Sequence, residues 1–237
     1  MTPNTLITHQ HAREIMGSNY FGVEEWQRLC GLKSTSHVMS NIPNITWGAD
    51  VLAGSCPFYP SWLRQRISDT HFLFLGLDTL DGVGPLTITA LEQMHRSPTT
   101  EEPVLNSGGP KPWYQKHPFA NYESLKLRWY LLLKDPVPDS AGKFREVQSS
   151  LLPHEYRVPF AIEEAAKDFL FALKQTAAPW YQRLFPRSFA YVRCRDVISD
   201  GSQPLVGLLT SGLVISSVYS GLDSCGIGAS RRLHRIT

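Results

Sequence analysis

The 237-residue sequence lacks any run of about eighteen consecutive apolar residues, the length that marks a membrane-spanning helix. Its first residues also lack the basic segment and apolar run of a secretory signal. The 23 Lys and Arg residues nearly balance the 21 Asp and Glu residues, and a net charge of +2 is too small to indicate nucleic acid or an anionic membrane. We therefore expect a soluble cytoplasmic protein with no membrane partner.

Cysteine is scarce, and none of the spacings is typical of a metal site. The four residues are far apart, which argues against a zinc knuckle and against a dense disulfide framework: Cys30, Cys56, Cys194 and Cys225. His9 and His11 could offer two imidazoles, but no third ligand follows at a suitable spacing. The glycines Gly82 and Gly84 lack the Gly-Lys-Ser/Thr ending of a phosphate loop. The sequence predicts neither a metal nor a cofactor.

The composition is that of a globular protein, with 42% hydrophobic and 19% charged residues. The loop at 97–112 contains four prolines and two glycines, but it is too short to be an interdomain linker. We predict one domain over residues 1–237, with flexible ends at 1–10 and 226–237.

One long helix is predicted over residues 158–174. Its apolar residues recur at helical spacing, namely Ile162, Ala165, Ala166, Phe169 and Leu173. The charged residues Glu163, Glu164 and Lys167 lie largely on the other side, and Pro159 suits a first turn. This pattern predicts an amphipathic helix whose apolar face covers a sheet.

Two strands are predicted before this helix. Residues 71–77 are apolar at both odd and even positions, as in a strand buried on both faces. Residues 125–133 alternate with period two, so one face should lie in the core and the other mostly in solvent. We expect the helix to pack on a sheet containing 71–77, 124–133 and 190–197.

The last third of the sequence is predicted to be mostly β-structure. Strands at 191–197, 204–209 and 213–219 are separated by tight turns, the first of which is Ser199–Ser202. Sequential strands joined in this way favour antiparallel pairing. The fold class predicted is therefore α+β, a mostly antiparallel sheet packed against a few helices.

Five blocks of the sequence together resemble a group of uncharacterised bacterial proteins with no assigned activity. They are Tyr20–Glu25, Asp69–His71, Trp113-Tyr114 with Phe119-Ala120, Lys134–Val137, and Tyr191–Arg193 with Asp196. The resemblance spans roughly residues 10–215. It implies a single domain and does not indicate an activity.

One candidate catalytic site involves Cys56, His71 and Asp69. A thiol nucleophile needs a base within hydrogen-bond reach and a third group that orients the base, and these are the right residue types. The alternative is that Cys56 is a small buried residue, Asp69 caps a turn and His71 is half-buried at a strand end.

Candidate binding residues fall into an arginine group and an aromatic group. The arginines could grip phosphate, with two on one face of a strand and three near the C-terminus: Arg193, Arg195, Arg231, Arg232 and Arg235. The aromatic residues could provide stacking or partner-binding surfaces: Trp113, Tyr114, Trp180 and Tyr181. An ordinary solvated face with a basic tail is the alternative.

The sequence therefore favours an intracellular non-catalytic interaction protein with a protein partner, whose aromatic and proline-rich loops form the partner surface. A cysteine-dependent hydrolase around Cys56 and His71 is one alternative. A nucleic-acid-binding protein that uses the arginine-rich strand face and the C-terminal tail is the other.

Overall fold

A computed structural model describes residues 7–31, 41–80, 84–95, 105–106, 112–176, 191–209, 212–218 and 225–233. The α-helices of these segments are α1 (His9–Met16), α2 (Val23–Cys30), α3 (Ala49–Leu52), α4 (Ile67–Thr70), α5 (Ile88–His95), α6 (Pro118–Asn121), α7 (Arg145–Ser150) and α8 (Ala161–Thr176). The strands are β1 (Tyr20–Phe21), β2 (His71–Gly76), β3 (Thr79–Leu80), β4 (Gly84–Pro85), β5 (Leu105–Asn106), β6 (Arg128–Leu133), β7 (Tyr156–Arg157), β8 (Val192–Arg193), β9 (Gln203–Leu209), β10 (Gly212–Val218), β11 (Gly226–Ile227) and β12 (Ser230–Arg231).

The first sheet has the strand order β1-β2-β6-β12-β7. Its centre is the antiparallel pair β2 and β6, in which Phe74 faces Tyr130. The two rings stack at 5.2 Å between centroids. β1 runs parallel to β2, whereas β12 is inserted antiparallel between β6 and β7. The last strand that the structure describes is thus an internal strand of this sheet.

The second sheet has the order β11-β8-β9-β10-β5. The hairpin of β9 and β10 is its longest pairing and confirms the two strands predicted there. Asp200 shapes the turn before β9, since its side chain accepts hydrogen bonds from the backbone N–H and the hydroxyl of Ser202. Both sheets are mixed, and five of their eight strand pairs are antiparallel, which together with the helices packed on them confirms the predicted α+β class.

Helix α8 lies between the two sheets, where it contacts β6 on one side and β9 and β10 on the other. Its core residues Ile162 and Phe169 are buried as predicted. The prediction for its charged side was wrong, because Glu163, Glu164 and Lys167 are also buried, each at most 2% exposed. Part of this charged side meets the first sheet, since Glu163 pairs with Arg128 of β6 and Arg157 of β7, and Lys167 donates to the Leu133 and Lys134 carbonyls.

The solvent face predicted for residues 125–133 is likewise absent within β6, although Lys126, just before the strand, is exposed as predicted. The strand itself begins at Arg128, and Tyr130 and Leu132 are as buried as their neighbours. Trp129 packs on the other side, with its indole N–H donating to the Pro43 carbonyl at 2.8 Å. Both faces of β6 are covered, so the period-two pattern does not mark an exposed face here.

Two further expectations need correction. The strand predicted at 190–197 is reduced to β8 and belongs to the second sheet, not to the sheet of β2 and β6. Of residues 226–237, predicted to be flexible, the described part at 226–233 includes β11 and β12, and both Ile227 of β11 and Ala229 between the strands are buried. The segment is ordered by backbone pairing, of β11 with β8 and of β12 with β6 and β7.

The first described helix begins with a side-chain cap. The Thr8 hydroxyl oxygen accepts a hydrogen bond from the N–H of His11 at 3.2 Å, which begins α1 at His9. Among the described helices, none has the length and apolar character needed to cross a bilayer.

Candidate functional site

The structure places His71 at the junction of α4 and β2, completely buried. Cys56 lies nearby, 3% exposed, where the chain enters a loop that returns to α4. Its backbone N–H donates to the Gln65 carbonyl at 2.8 Å. The Thr70 hydroxyl contacts both the Cys56 thiol and the His71 ring. The predicted cysteine and histidine are therefore brought into one cluster.

Both ring nitrogens of His71 make hydrogen bonds. Nδ1 lies 2.9 Å from the Thr70 hydroxyl oxygen, and Nε2 lies 3.0 Å from the Tyr156 hydroxyl oxygen. The Thr70 hydroxyl donates to the Arg66 carbonyl at 2.8 Å, so it accepts from Nδ1–H. Tyr156 accepts from Nη1 of Arg231 at 3.2 Å and hence donates to Nε2. The network assigns His71 as the neutral Nδ1–H tautomer.

Burial controls the acid–base properties of this cluster. Desolvation, together with the positive charges of Arg231 and Lys134, lowers the pKa of His71 to about 3. Desolvation raises the pKa of Cys56, and the opposing effects of the Thr70 hydroxyl and the Phe58 backbone do not cancel it. The same cause raises the pKa of Tyr156 to about 12. At neutral pH the thiol, the imidazole and the phenol are all uncharged.

Asp69 is not part of this cluster. Its side chain is exposed, and Oδ2 accepts the backbone N–H of Arg66 at 3.1 Å as a cap of α4. Because both nitrogens of His71 are already engaged, neither is free to take a proton from Cys56. This arrangement favours a structural role for His71 over that of a catalytic base.

Arg193 and Arg195 line one small cavity together with Arg145, which sequence reasoning missed. The cavity has a volume of about 40 Å³. Ser149 and Gln203 supply further polar lining, and no Asp or Glu is among the residues that line it. Arg145 is the first residue of α7, and no pattern in the sequence links it to β8.

The two predicted arginines differ in their surroundings. Arg193 is 1% exposed, and its Nη2 lies 3.5 Å from the Cys225 sulfur. Arg195 is exposed and follows the strand, with its backbone N–H donating to the Pro159 carbonyl at 2.8 Å. Its guanidinium carbon lies 5.2 Å from the centroid of the Phe160 ring. They therefore meet at a cavity and do not form an open strand face.

The C-terminal arginines are placed elsewhere. Arg231 and Arg232 both contact Tyr156, the first at its hydroxyl and the second at its backbone carbonyl at 3.0 Å. Neither is among the residues that line the cavity next to Arg145, Arg193 and Arg195. Arg235 lies outside the described residues.

The predicted aromatic residues do not form an exposed surface where they are described. Tyr114 is 1% exposed and belongs to the core. Trp113 is half-buried, with its indole N–H donating to the Ile215 carbonyl at 3.2 Å. Trp180 and Tyr181 lie outside the described residues.

An exposed aromatic side chain occurs instead at Trp62, which is 75% exposed beside Leu63 at 40%. Sequence reasoning missed this residue, although prolines on either side of an aromatic cluster could have indicated a surface loop. We call residues 57–66 the Trp62 loop. It contains two prolines and two exposed arginines, Arg64 and Arg66.

The Trp62 loop is closed at its base and folded at its tip. Ser55 and Arg66 form an antiparallel β-bridge, and the N–H of Ile67 donates to the Gly54 carbonyl at 2.9 Å. At the tip, the N–H of Leu63 donates to the Pro60 carbonyl at 2.9 Å within a single 3₁₀ turn. The loop thus presents Trp62 on an organised backbone.

Comparison of this chain with protein-family models, curated proteins and solved structures finds no match. The functional interpretation therefore rests on the geometry of the chain itself. Within the described segments, no group of three or more His, Cys, Asp or Glu side chains is placed to bind a metal ion.

Proposed function

We propose that this chain is a non-catalytic interaction protein that binds a protein partner through the Trp62 loop. The observation that carries the proposal is the 75% exposure of Trp62 on a loop whose ends are hydrogen-bonded to each other. Tryptophan is enriched among the residues that dominate binding energy in protein interfaces. An exposed tryptophan on an organised loop is a suitable anchor.

The ordered backbone of the loop supports the proposal. A loop that is already ordered loses less conformational entropy on association, so it binds more tightly. A side chain on a flexible loop would lose conformational freedom on association, at a cost that weakens affinity. The bridge at Ser55 and the turn at Leu63 restrict the loop before any partner arrives. The side chain of Trp62 adds large contact area with few rotatable bonds.

The charges of the loop indicate what the partner should present. Arg64 and Arg66 are exposed beside Trp62, and arginine is also enriched in interfaces. We therefore expect a partner with an apolar pocket for Trp62 and acidic residues around it. Such rim charges mainly affect the association rate and its dependence on salt.

The His71 cluster supports the non-catalytic part of the proposal. The imidazole donates to Thr70 and accepts from Tyr156, so that it links buried groups instead of activating the Cys56 thiol. A thiol hydrolase would need a base with a free nitrogen facing the nucleophile.

Site-specific photo-crosslinking tests the proposal. The photoreactive amino acid p-benzoylphenylalanine is placed at position 62 in the full chain, in the cells that make the protein. Tyr122 is the matched control position, because it is an aromatic residue of α6 that is 81% exposed. We expect a discrete protein adduct from position 62 and none from position 122.

The adduct identifies a partner whose affinity is then measured with purified proteins. Trp62→Ala should weaken binding by at least about thirtyfold, as for a residue worth about 2 kcal/mol or more. Tyr122→Ala should change it less than about twofold, and neither variant should alter the thermal midpoint. Absence of a position-specific adduct, or equal binding by Trp62→Ala and wild type, would refute the proposal.

A further inference from the structure

We propose that Arg64 determines the specificity of the Trp62 loop by binding a carboxylate of the partner protein, next to the pocket that takes Trp62. This inference rests on the function proposed above and assigns the chemistry of the partner at one position. Arg64 follows Trp62 by two residues and ends the 3₁₀ turn that carries it. Its side chain is exposed, as are those of its neighbours at the tip of the loop.

The backbone of Arg64 has a conformation that suits glycine better than arginine. Its φ of 49° and ψ of 27° lie in the left-handed region, where a side chain has a steric cost. Among the described residues other than glycine, Asp139 also has a positive φ, but aspartate tolerates this region through local hydrogen bonds. A glycine at position 64 would end the turn without the steric cost. The turn itself therefore does not require an arginine.

The guanidinium of Arg64 has no polar partner in the described part of the chain. A basic residue at the end of a helical turn can donate to the last carbonyls or pair with an acidic neighbour. The Arg64 side chain forms neither a hydrogen bond nor an ion pair with any other described residue. Residues 51–68 contain no Asp or Glu. Because strained residues cluster at sites that hold ligands, we assign this guanidinium to a partner.

A carboxylate is the group that fits this position. The loop carries two positive charges and no negative one, so the complementary surface is acidic. Arginine presents a planar fork of N–H groups that binds both oxygens of a carboxylate. The Cα atoms of Trp62 and Arg64 are at most about 7.6 Å apart, two Cα–Cα steps, so one partner surface can receive both side chains. An apolar pocket without the carboxylate would leave the guanidinium desolvated and unpaired, which weakens the wrong complex.

Arg66 lacks the feature that distinguishes Arg64. Its φ of −97° is ordinary, and it forms the β-bridge with Ser55 that closes the base of the loop. Its backbone N–H donates to the Asp69 carboxylate at 3.1 Å. Its place in the chain has a structural reason, and its charge lies on the rim of the proposed interface. Arg66 is therefore the matched control for Arg64 within the same loop.

Arg64→Gly separates the role of the side chain from that of the backbone. Because glycine relieves the left-handed strain, the thermal midpoint of this variant should equal or exceed that of wild type. Gln65→Gly is the control, since Gln65 is an exposed neighbour without a positive φ, and this change should lower the midpoint. A lower midpoint for Arg64→Gly would show that the arginine serves the fold and would overturn the proposal without any partner.

Binding is measured with the purified protein recovered from the position-62 adduct. Arg64→Gly should weaken binding by at least about tenfold, mainly through faster dissociation. Arg66→Gln should change the dissociation constant by less than about threefold, mainly through slower association. Arg64→Lys keeps the charge but loses the planar fork, so its affinity should fall between those of wild type and Arg64→Gly.

The same measurements separate this inference from the proposed function. Weaker binding by Trp62→Ala, without weaker binding by Arg64→Gly, would overturn the role of Arg64 and leave the function of the loop standing. Equal binding by both variants and wild type, or no adduct from position 62, would refute both.

A carbodiimide, which joins an amine to a carboxylate without a spacer, locates the acidic group. In the complex of Arg64→Lys we expect a bond from position 64 to one Asp or Glu of the partner, identified by mass spectrometry. Arg66→Lys is the control and should couple less. No coupling from position 64 would overturn the proposal. Vesicles of phosphatidylserine that bind wild type but not Arg64→Gly would also overturn it, since the arginine would then recognise a lipid phosphate.

Discussion

The hydroxyl of Tyr156 lies 3.0 Å from Nε2 of His71, although β6 and β12 separate their strands within the first sheet. This side-chain hydrogen bond therefore links β2 to β7 across two intervening strands. Phe58 packs edge-on against Tyr156, with ring centroids 4.7 Å apart, and so connects the base of the Trp62 loop to the same cluster.

Tyr156→Phe should destabilise the protein by about 1–3 kcal/mol. It removes the donor to Nε2 of His71 and leaves a buried acceptor without its partner. Urea unfolding followed by circular dichroism measures the change. Tyr122→Phe, at an exposed tyrosine, serves as the control and should be neutral. A neutral Tyr156→Phe would show that the hydrogen bond contributes nothing to stability.

Glu164→Gln should change the pH dependence of folding stability. Burial raises the pKa of Glu164 from 4.5 to about 7, against the attraction of Lys167 and with the repulsion of Asp168. Glu163 and Cys194 also face this carboxyl. The folded state therefore binds a proton that the unfolded chain has released, and this contribution is full below about pH 4.5 and is lost as the pH rises through about 7.

The variant carries no titrating group at this position, so its stability relative to wild type should rise between pH 5 and pH 7. The slope should be at most about 1.4 kcal/mol per pH unit. Urea unfolding at three pH values measures it. Glu14→Gln is the control on an exposed glutamate of α1, and its stability should follow that of wild type. Parallel curves for Glu164→Gln and wild type would contradict the prediction.

Phe169→Ala should cost about 3–5 kcal/mol of stability. Phe169 is 2% exposed in α8, between the two sheets, and its truncation would leave a cavity that the neighbouring strands cannot easily fill. Phe144→Ala is the control, because Phe144 is 51% exposed and should change stability far less. A thermal midpoint for Phe169→Ala within error of wild type would be incompatible with the described packing.

The Cys56 thiol should react slowly with iodoacetamide near neutral pH. It is 3% exposed and burial raises its pKa, so that both access and thiolate concentration are low. Mass spectrometry of tryptic peptides compares it with Cys194, which is also buried, and with the same thiols in urea. Modification of Cys56 at least about tenfold faster than Cys194 in the folded chain would restore the thiol hydrolase to consideration.

The elements that the sequence predicts correctly are those with a local signal, such as an apolar run or a pair of turn residues. Residues 71–76 are apolar at every position except the first and last, and Asp200-Gly201 directs the turn before β9. The burial of Glu164 has no such local signal. Whether the charged side of this helix faces water depends on partners from other parts of the chain, such as Arg128 of β6 and Arg157 of β7, which pair with Glu163. The pattern of polar and apolar residues in the helix does not show how those other parts pack against it.

The candidate sites illustrate the same limit. The residue types alone indicate Cys56 and His71 as candidates. The residue that donates to Nε2 of His71, Tyr156, lies 85 residues further along the chain. Arg145 joins Arg193 and Arg195 only because α7 folds onto β11. Trp62 was missed because tryptophan is highly buried on average, and the nearby prolines are the one local signal of a surface loop there.

The internal position of β12 has a consequence for synthesis on the ribosome. β6 and β7 can be made and exposed well before Ser230 and Arg231 arrive to pair between them. Ser230 follows Arg157 by 73 residues, so at typical rates of about 5–20 residues per second this interval lasts roughly 4–15 s, during which the facing edges of β6 and β7 are open to other chains. The nascent chain should therefore depend most on chaperones during this interval, and loss of residues 225–233 should lead to aggregates instead of a shortened native fold.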